Sequence, residues 1–107
     1  MELEIGMYVR TINGKIWIIK SQKAISGHKK DIINASYNII DLIEVGDYVN
    51  GYKVLFAGAT TWDNNGNVID KRVKINYDGY DRWLSEDFIK SIVTKEQFSS
   101  MEYKIER

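Results

Sequence analysis

The sequence contains a short segment that occurs twice, and this near-repeat constrains the fold more than any other feature. Residues 4–9 read Glu-Ile-Gly-Met-Tyr-Val, and residues 44–49 read Glu-Val-Gly-Asp-Tyr-Val. Each copy is followed by an Asn-Gly dipeptide and then by a β-rich run, Lys15–Ile19 in the first copy and Tyr52–Phe56 in the second. Small β-barrels often begin with an acidic residue, an apolar residue, a glycine bend and an alternating strand. The repeat therefore predicts a β-rich architecture whose two halves are related.

Turn signals divide the chain into strands. Because the chain contains no proline, its turns must be formed by Gly, Asn and Asp. Asn13-Gly14 and Asn50-Gly51 have the composition of two-residue hairpin turns, since Asn-Gly tolerates positive φ angles. Residues 63–67 form a longer polar turn in the prediction, and Asp78-Gly79 forms another. The first of these resembles a calcium loop only superficially, because position twelve is Lys74 where a glutamate is required.

The clearest strand lies between the last two turns. Residues 69–77 place apolar and polar side chains on alternate positions, which is the pattern of a half-buried strand. The partner across the turn is Val54–Trp62, so the two segments form a predicted hairpin. The small residues at 57–59 predict a bend or bulge in that partner, as a tightly curved barrel requires.

The C-terminal part completes a barrel in the prediction. A further strand is predicted over about Trp83–Val93, and a Thr-x-x-Gln capping box then predicts one short helical turn near residues 95–100. Met101–Ile105 alternates again and is the predicted closing strand. This order is that of a small SH3-like β-barrel, which we assign to residues 44–107.

The sequence predicts the structure of the N-terminal 43 residues less clearly. Residues 4–20 indicate a β-hairpin, and the polar, basic segment 23–30 indicates a loop. Residues 31–43 are either two short strands or a helix, and their β-branched content favours the strands. We interpret residues 1–43 as an N-terminal β-hairpin extension, or partial second barrel, that docks on the complete one to give one compact folding unit.

Composition excludes several classes. The chain has 107 residues, enough to bury one core, and it has no cysteine, so disulfides and thiolate metal sites are excluded. Fifteen basic and fifteen acidic residues cancel, whereas nucleic-acid binders usually carry a basic excess. No apolar run reaches the roughly 18 residues of a membrane helix, and the N-terminus lacks the basic region of a signal peptide. We therefore expect a cytoplasmic protein with no membrane partner.

A small basic cluster is the first candidate site. Lys23, His28, Lys29 and Lys30 lie close together in the predicted loop, where they would contact phosphate. A solvated loop tip is the favoured alternative. His28 is the only histidine, so the sequence offers no partner for a metal site or for general-base catalysis.

An aromatic segment is the second candidate site. Tyr77, Tyr80, Arg82 and Trp83 surround the Asp78-Gly79 turn. Trp62, at the end of the preceding hairpin, is expected to share the same surface. Tyr, Trp and Arg are the residue types that anchor protein interfaces, so we predict a partner-binding site here. Two alternatives remain open: Tyr77 and Trp83 belong to the core, or the aromatic residues stack on single-stranded nucleic acid.

The sequence contains no motif of an enzyme. It has no phosphate-binding loop, no dinucleotide-binding glycine pattern, no zinc-protease motif and no nucleophile elbow. We therefore expect a non-enzymatic protein that uses no cofactor and has no catalytic residue. Exposed barrel edges would also allow two chains to pair as a homodimer.

Several segments resemble a recurring module of small uncharacterised proteins. These are residues 38–51, 89–98 and 101–103, together with the start, Glu4–Thr11. The resemblance is to proteins encoded by phages, prophages and other mobile elements of clostridia and related low-GC Gram-positive bacteria. The segment between Phe56 and Asp87 varies in such proteins, and the family carries no activity or functional residue that transfers.

The resemblance implies a function class. A short phage accessory protein with a stable barrel and variable loops often binds and blocks a host protein. We therefore expect a cytoplasmic inhibitor of a bacterial immune effector in the host cell, similar in action to an anti-CRISPR protein. The alternatives are a nucleic-acid-binding small β-barrel and a sponge for a small molecule such as a cyclic nucleotide.

Overall fold

The near-repeat forms the first strand of each of two sheets. The computed structural model describes residues 2–101 and is mostly β, as predicted. The strands are β1 (Tyr8–Thr11), β2 (Ile16–Ile18), β3 (Ile32–Ser36), β4 (Tyr48–Val49), β5 (Tyr52–Trp62), β6 (Val68–Tyr77), β7 (Tyr80–Leu84) and β8 (Ile92–Val93). The helices are α1 (Gln22–His28) and α2 (Lys95–Met101), with 3-10 turns at Lys29–Asp31, Ile39–Leu42 and Glu86–Phe88.

The C-terminal sheet has SH3-like topology. Its strand order is β7-β6-β5-β4-β8, so β5, β6 and β7 form a meander and the last strand returns to pair with the first. Tyr48 lies opposite Val93 and Val49 lies opposite Ile92 in this closing pair. A 3-10 turn precedes the closing strand. The predicted SH3-like barrel is therefore confirmed.

One strand assignment near its end was wrong, and a second lies mostly outside the described residues. The predicted strand Trp83–Val93 stops at Leu84, because the chain then turns, with Phe88 N–H donating to the Ser85 carbonyl at 3.1 Å. The side chain of Asn50 holds the following residues, since its Oδ1 accepts from Lys90 N–H at 2.7 Å and from Ser91 N–H at 3.1 Å. The closing strand is thus β8. The strand predicted over residues 101–105 begins inside α2, and its remainder lies outside the described residues.

Tight turns set the register of the barrel hairpins. Asn50 and Gly51 both have positive φ angles, 53° and 85°, as a two-residue type I′ turn requires. Asp78 and Gly79, at 49° and 93°, turn the chain in the same way between β6 and β7. These two predictions are confirmed. The first hairpin differs, because it has a three-residue loop in which only Gly14 has positive φ.

The barrel core follows the predicted alternation. Val73 and Ile75 of β6 are fully buried, and each contributes roughly 1.5–3 kcal/mol relative to an exposed side chain. The ladder with β5 is irregular on both sides of residues 57–59, which confirms the predicted bend. The core residues are Ile40, Ile43, Val49, Val54, Val73, Ile75 and Leu84.

The N-terminal unit has its own small core and one unpredicted helix. Segment 23–30 is not a loop, because α1 covers most of it. Ser21 Oγ caps this helix by accepting from Ala24 N–H at 3.3 Å, and half-buried Ile25 packs against the second core. That core consists of Val9, Ile19 and Ile32, with Leu3, Met7, Trp17 and Ala35 around it.

The ambiguous segment 31–43 contains one strand. Ile32–Ser36 forms β3, which pairs with β1, whereas the second predicted strand is the 3-10 turn Ile39–Leu42. Asp41 N–H donates to the Asn38 carbonyl at 3.0 Å and Ile43 N–H to the Ile40 carbonyl at 3.4 Å, so the segment bonds within itself as a turn and buries Ile40 and Leu42. Ser36 Oγ and Asp41 Oδ2, at 2.5 Å, close the connection between strand and turn.

The N-terminal sheet resembles a barrel without its middle hairpin. Its order is β2-β1-β3, so the first strand lies between the second and the closing strand, as β4 does between β5 and β8. Gly6 and Gly46 bend both starts alike, with φ angles of 97° and 96°. The helix α1 stands in the chain where the C-terminal unit has β6 and β7. The two copies of the repeat therefore start equivalent scaffolds with different insertions.

Thr94 joins the two units at the start of α2. Its hydroxyl accepts from Gln97 N–H at 3.3 Å, while Gln97 Oε1 accepts from Thr94 N–H, so the predicted capping box is present. The same hydroxyl donates to the Gly14 carbonyl at 2.7 Å, and Thr94 is fully buried. The β1–β2 loop is therefore packed directly on the cap of α2.

We expect Gly14→Ala to destabilise the protein more than Gly51→Ala. Both glycines have φ near +85°, so each alanine costs about 1–2 kcal/mol from the left-handed backbone. A Cβ at Gly14 would also lie 2.3 Å from Thr94 Oγ1 and 2.7 Å from Glu96 Cβ, whereas a Cβ at Gly51 meets nothing within 4 Å. Crowding adds roughly 1–3 kcal/mol at Gly14 only. Urea unfolding followed by tryptophan fluorescence measures both, and equal losses would refute this contact.

Candidate functional site

A buried arginine is the centre of the densest polar network in the described structure. Arg10 is fully buried, and so is Asp47, the carboxylate that it faces. Arg10 donates to both Asp47 oxygens, with the Nη2–Oδ1 distance at 2.9 Å. It also donates to the Leu42 carbonyl at 3.0 Å and to Glu96 Oε2 at 2.8 Å. One guanidinium thus contacts two segments of the C-terminal unit, at Asp47 and Glu96, and the 3-10 turn Ile39–Leu42 that precedes them in the chain.

The remaining charges complete this network. Glu44 Oε2 lies 3.2 Å from Arg10 Nε, at an angle that makes the contact electrostatic and not a hydrogen bond. Asp47 also accepts from Glu44 N–H at 2.8 Å and from Lys95 N–H at 2.9 Å. Burial alone lowers the pKa of Arg10. The hydrogen bond and charge of Asp47, together with the charges of Glu44 and Glu96, outweigh this effect, so the pKa of Arg10 is raised overall.

The network is a structural clamp. Every oxygen of Asp47 and both terminal nitrogens of Arg10 are used within the protein, and neither side chain has exposed surface. Sequence reasoning did not single out these two residues. One signal was available, because the repeat has Met7 in the first copy where the second has Asp47.

We expect Arg10→Met to cost about 3–5 kcal/mol in the free energy of unfolding, since it leaves Asp47 charged, buried and unpaired. Arg72→Met is the matched control. Arg72 pairs with Asp70 at 2.8 Å on the surface, so its loss costs about 1 kcal/mol or less. Arg10→Lys keeps the positive charge but cannot donate two parallel hydrogen bonds to Asp47, so we expect a loss of stability between those of the other two variants. Similar losses in all three variants, measured by chemical denaturation, would contradict the clamp.

The predicted basic cluster is exposed and local. Lys23 and His28 lie on α1, and Lys29 and Lys30 lie in the 3-10 turn that follows. The His28 ring packs edge-on against Trp17, with centroids 5.5 Å apart. Among residues 2–101, no group of three His, Asp or Glu side chains is placed to hold a metal ion. The phosphate contact stays a prediction.

The predicted aromatic site is divided between two faces of the barrel sheet. Tyr77 lies opposite Tyr80, and Ile75 lies opposite Arg82, so these side chains share the face that carries the core. Trp83 lies opposite Lys74 and points to the other face. All four side chains of this segment are exposed, namely those of Tyr77, Tyr80, Arg82 and Trp83. The alternative that Tyr77 and Trp83 belong to the core is therefore removed.

The outer face carries Trp83 with a second aromatic ring. The rings of Phe56 and Trp83 meet edge-on at 5.7 Å, and Lys74 Nζ lies 5.8 Å from the Trp83 ring. Lys74 also pairs with Asp81 at 3.0 Å. Trp62 lies six positions after Phe56 along β5, which at the usual rise of a strand is a distance of about 20 Å. Trp62 therefore belongs to the hairpin end and not to this patch.

The core-side face carries a ring-lined pocket that sequence reasoning missed. The Tyr52 and Tyr77 rings are tilted against each other with centroids 4.7 Å apart, and the Arg82 guanidinium lies 5.2 Å from the Tyr77 ring. Burial, then the neighbouring Tyr77 and Asp78, raises the pKa of Tyr52. The pocket contains about 190 Å³ and is bounded beyond these residues by Asn50, Ile75, Leu84 and Phe88.

Comparison with known proteins gives no relative. No family model matches the chain, and neither the curated proteins nor the solved structures contain a significant match. Within residues 2–101, no helix is long and apolar enough to span a membrane. The geometry of the described residues is therefore the basis for any functional argument.

The turn that carries Trp62 is expected to loosen in acid. Asp63 accepts from the backbone N–H of Asn67 at 2.8 Å and of Asn65 at 2.9 Å, and these bonds lower its pKa below the ordinary 3.8. A lowered carboxyl pKa stabilises the fold above pH 3.8, and this contribution is lost as pH falls through the folded value. Amide shifts of Asn65 and Asn67 in an NMR titration should move with a midpoint below 3.8. Asp63→Asn should abolish the transition, and a midpoint at or above 3.8 would refute the assignment.

Proposed function

We propose that this protein is a non-enzymatic binding protein, encoded by a phage or prophage, that inhibits a bacterial immune effector by direct contact in the host cytoplasm. The observation that supports it is the set of large aromatic side chains exposed on the barrel hairpins. Trp62 is 58% exposed, Tyr80 75% and Trp83 43%. Folding leaves these side chains in water, and burial of such residues against a partner is a main source of interface energy.

The scaffold favours contact with a partner over chemistry. The meander β5–β7 fixes the exposed rings on strands, so little conformational entropy is lost when a partner binds. Trp83 rests on Phe56 beside the Lys74–Asp81 pair, which combines an apolar centre with a charged rim. The phage origin and the immune target rest on the resemblance of the sequence segments and on nothing in the geometry.

A nucleic-acid-binding barrel is the second candidate. Lys29 and Lys30 line a surface groove beside Ser26 and Gly27, and Lys23 lies on the preceding helix. Three lysines at one place would contact a phosphate backbone, although the neutral net charge gives them no support from the rest of the surface. Retention of labelled DNA or RNA that falls steeply with salt would favour this candidate.

We expect the inhibitor to protect a phage from host immunity through its exposed rings. Expression in a host with an active immune system should raise the plating efficiency of a targeted phage, and the purified protein should bind the effector. Tyr80→Ala with Trp83→Ala should weaken that binding by roughly tenfold or more, because interface rings of this kind each contribute about 1–2 kcal/mol.

Ile12→Ala with Ile33→Ala is the matched control. Both isoleucines are exposed, at 69% and 46%, and both lie in the N-terminal unit away from the barrel hairpins. This variant should protect the phage as the wild type does, and thermal melts should show that both variants are folded. The proposal fails if expression leaves immunity unchanged, and the site assignment fails if the ring variant still binds the effector normally.

A further inference from the structure

The ring-lined pocket at the end of the barrel has the form of a receptor for one side chain. Its floor is formed by Ile75 and Leu84, which are 1% and 9% exposed, and its walls by the rings of Tyr52, Tyr77 and Phe88. Small-molecule sites usually enclose about 300–1,000 Å³. At about 190 Å³, this pocket is too small for such a ligand and suits one apolar side chain of a larger one.

Arg82 adds a charge to the pocket entrance. Its guanidinium stacks on Tyr77, and within residues 2–101 no carboxylate lies within ion-pair distance of it. The other arginines described, Arg10 and Arg72, each have a carboxylate partner. A guanidinium placed on a ring and left without a partner can bind a carboxylate through two parallel hydrogen bonds. Charge complementarity thus favours an acidic group beside the apolar one.

The remaining polar groups argue against a nucleotide. Asn50 would be the natural reader of a base edge, but its Nδ2 donates to the Phe88 carbonyl at 2.9 Å and its Oδ1 accepts from Lys90 and Ser91. A phosphate carries up to two negative charges and usually needs several donors, whereas Arg82 is the one cation among the described residues that lines this pocket. Asp78, in the adjacent turn, would repel a second negative charge.

We propose that this pocket binds an apolar side chain of a partner protein in an extended segment that carries an acidic residue beside it. The apolar side chain enters between the Tyr52 and Phe88 walls, and the carboxylate pairs with Arg82 at the entrance. Tyr80, 75% exposed on the same face, lies where the segment would continue. This inference rests on the proposed function, since it specifies the chemistry of the protein partner.

A peptide titration of the full chain tests it. The probes are Ac-Glu-Phe-Gln-NH2, which carries one carboxylate, its neutral analogue Ac-Gln-Phe-Gln-NH2, and AMP, and the readout is NMR shifts of the Tyr52, Tyr77 and Phe88 rings. We expect the acidic peptide to shift these rings and to bind roughly fivefold more tightly than the neutral one at low salt. Arg82→Gln should remove that difference, because it deletes the charge and keeps the donors of an amide.

Arg72→Gln is the control, because it deletes one positive charge at a surface residue that does not line the pocket, and it should bind the acidic peptide as the wild type does. Equal affinity of the acidic and neutral peptides, ring shifts absent with both, or tighter binding of AMP in the same pocket would each overturn the inference. The result also separates the two proposals. Peptide binding without an effect on host immunity refutes the inhibitor alone, whereas inhibition without peptide binding refutes the pocket assignment alone.

Discussion

The bidentate pair between Arg10 and Asp47 is the interaction on which the arrangement of the two units depends. Desolvation of two charges is costly, and apolar residues of the same volume often stabilise a core equally well. The pair is favourable here because both Asp47 oxygens and both terminal nitrogens of Arg10 are hydrogen-bonded, the latter also to the Leu42 carbonyl and Glu96, while Arg10 Nε has an ion pair with Glu44. Directional bonds to three segments define one docking geometry, whereas an apolar contact of equal area would tolerate sliding.

This clamp also determines which surfaces remain available. Arg10 and Thr94 hold the N-terminal sheet against β4 and the start of α2, at one side of the barrel. The 3-10 turn Ile39–Leu42 also contacts β5 and β6, where Lys71 pairs with Asp41 at 2.7 Å. The side chains of Trp62, Tyr80 and Trp83 stay exposed beyond these contacts, where a partner can reach them without disturbing the joint between the units.

Local sequence signals predicted those features of the barrel that depend only on residues adjacent in the sequence. Alternation identified β6, and Asn-Gly and Asp-Gly identified the turns at Asn50 and Asp78, because each depends on φ preference or period alone. The helix α1 was missed because Ile25 is held by a core that forms only when β1 and β3 pair. The clamp was missed for the same reason, since Arg10 and Asp47 are 37 positions apart.

The candidate site was partly predictable. The sequence left open whether Tyr77 and Trp83 are exposed, and it assigned Arg82 and Trp83 to one surface, although adjacent residues of a strand point to opposite faces. The two-residue period of a strand was enough to place Arg82 and Trp83 on opposite faces. The pocket could not be predicted from the sequence, because local patterns do not indicate that Tyr52 and Phe88 lie next to Tyr77.

The comparison of the two units explains why the candidate sites lie where they do. Both units need the first, second and closing strands, since these carry Val9 or Val49 into the core and fix the turns around them. Those strands are therefore constrained by packing. The insertion between the second and closing strands is constrained at its core-facing positions, such as Val73, Ile75 and Leu84 of the C-terminal unit, whereas its exposed positions do not contribute to the core. In the N-terminal unit that insertion is α1 with its basic residues, and in the C-terminal unit it contains β6 and β7, with Tyr77, Tyr80, Arg82 and Trp83. A scaffold used twice thus carries two different surfaces. The C-terminal one combines exposed rings, a pocket and a guanidinium with no carboxylate partner among residues 2–101, on strands whose positions the barrel fixes.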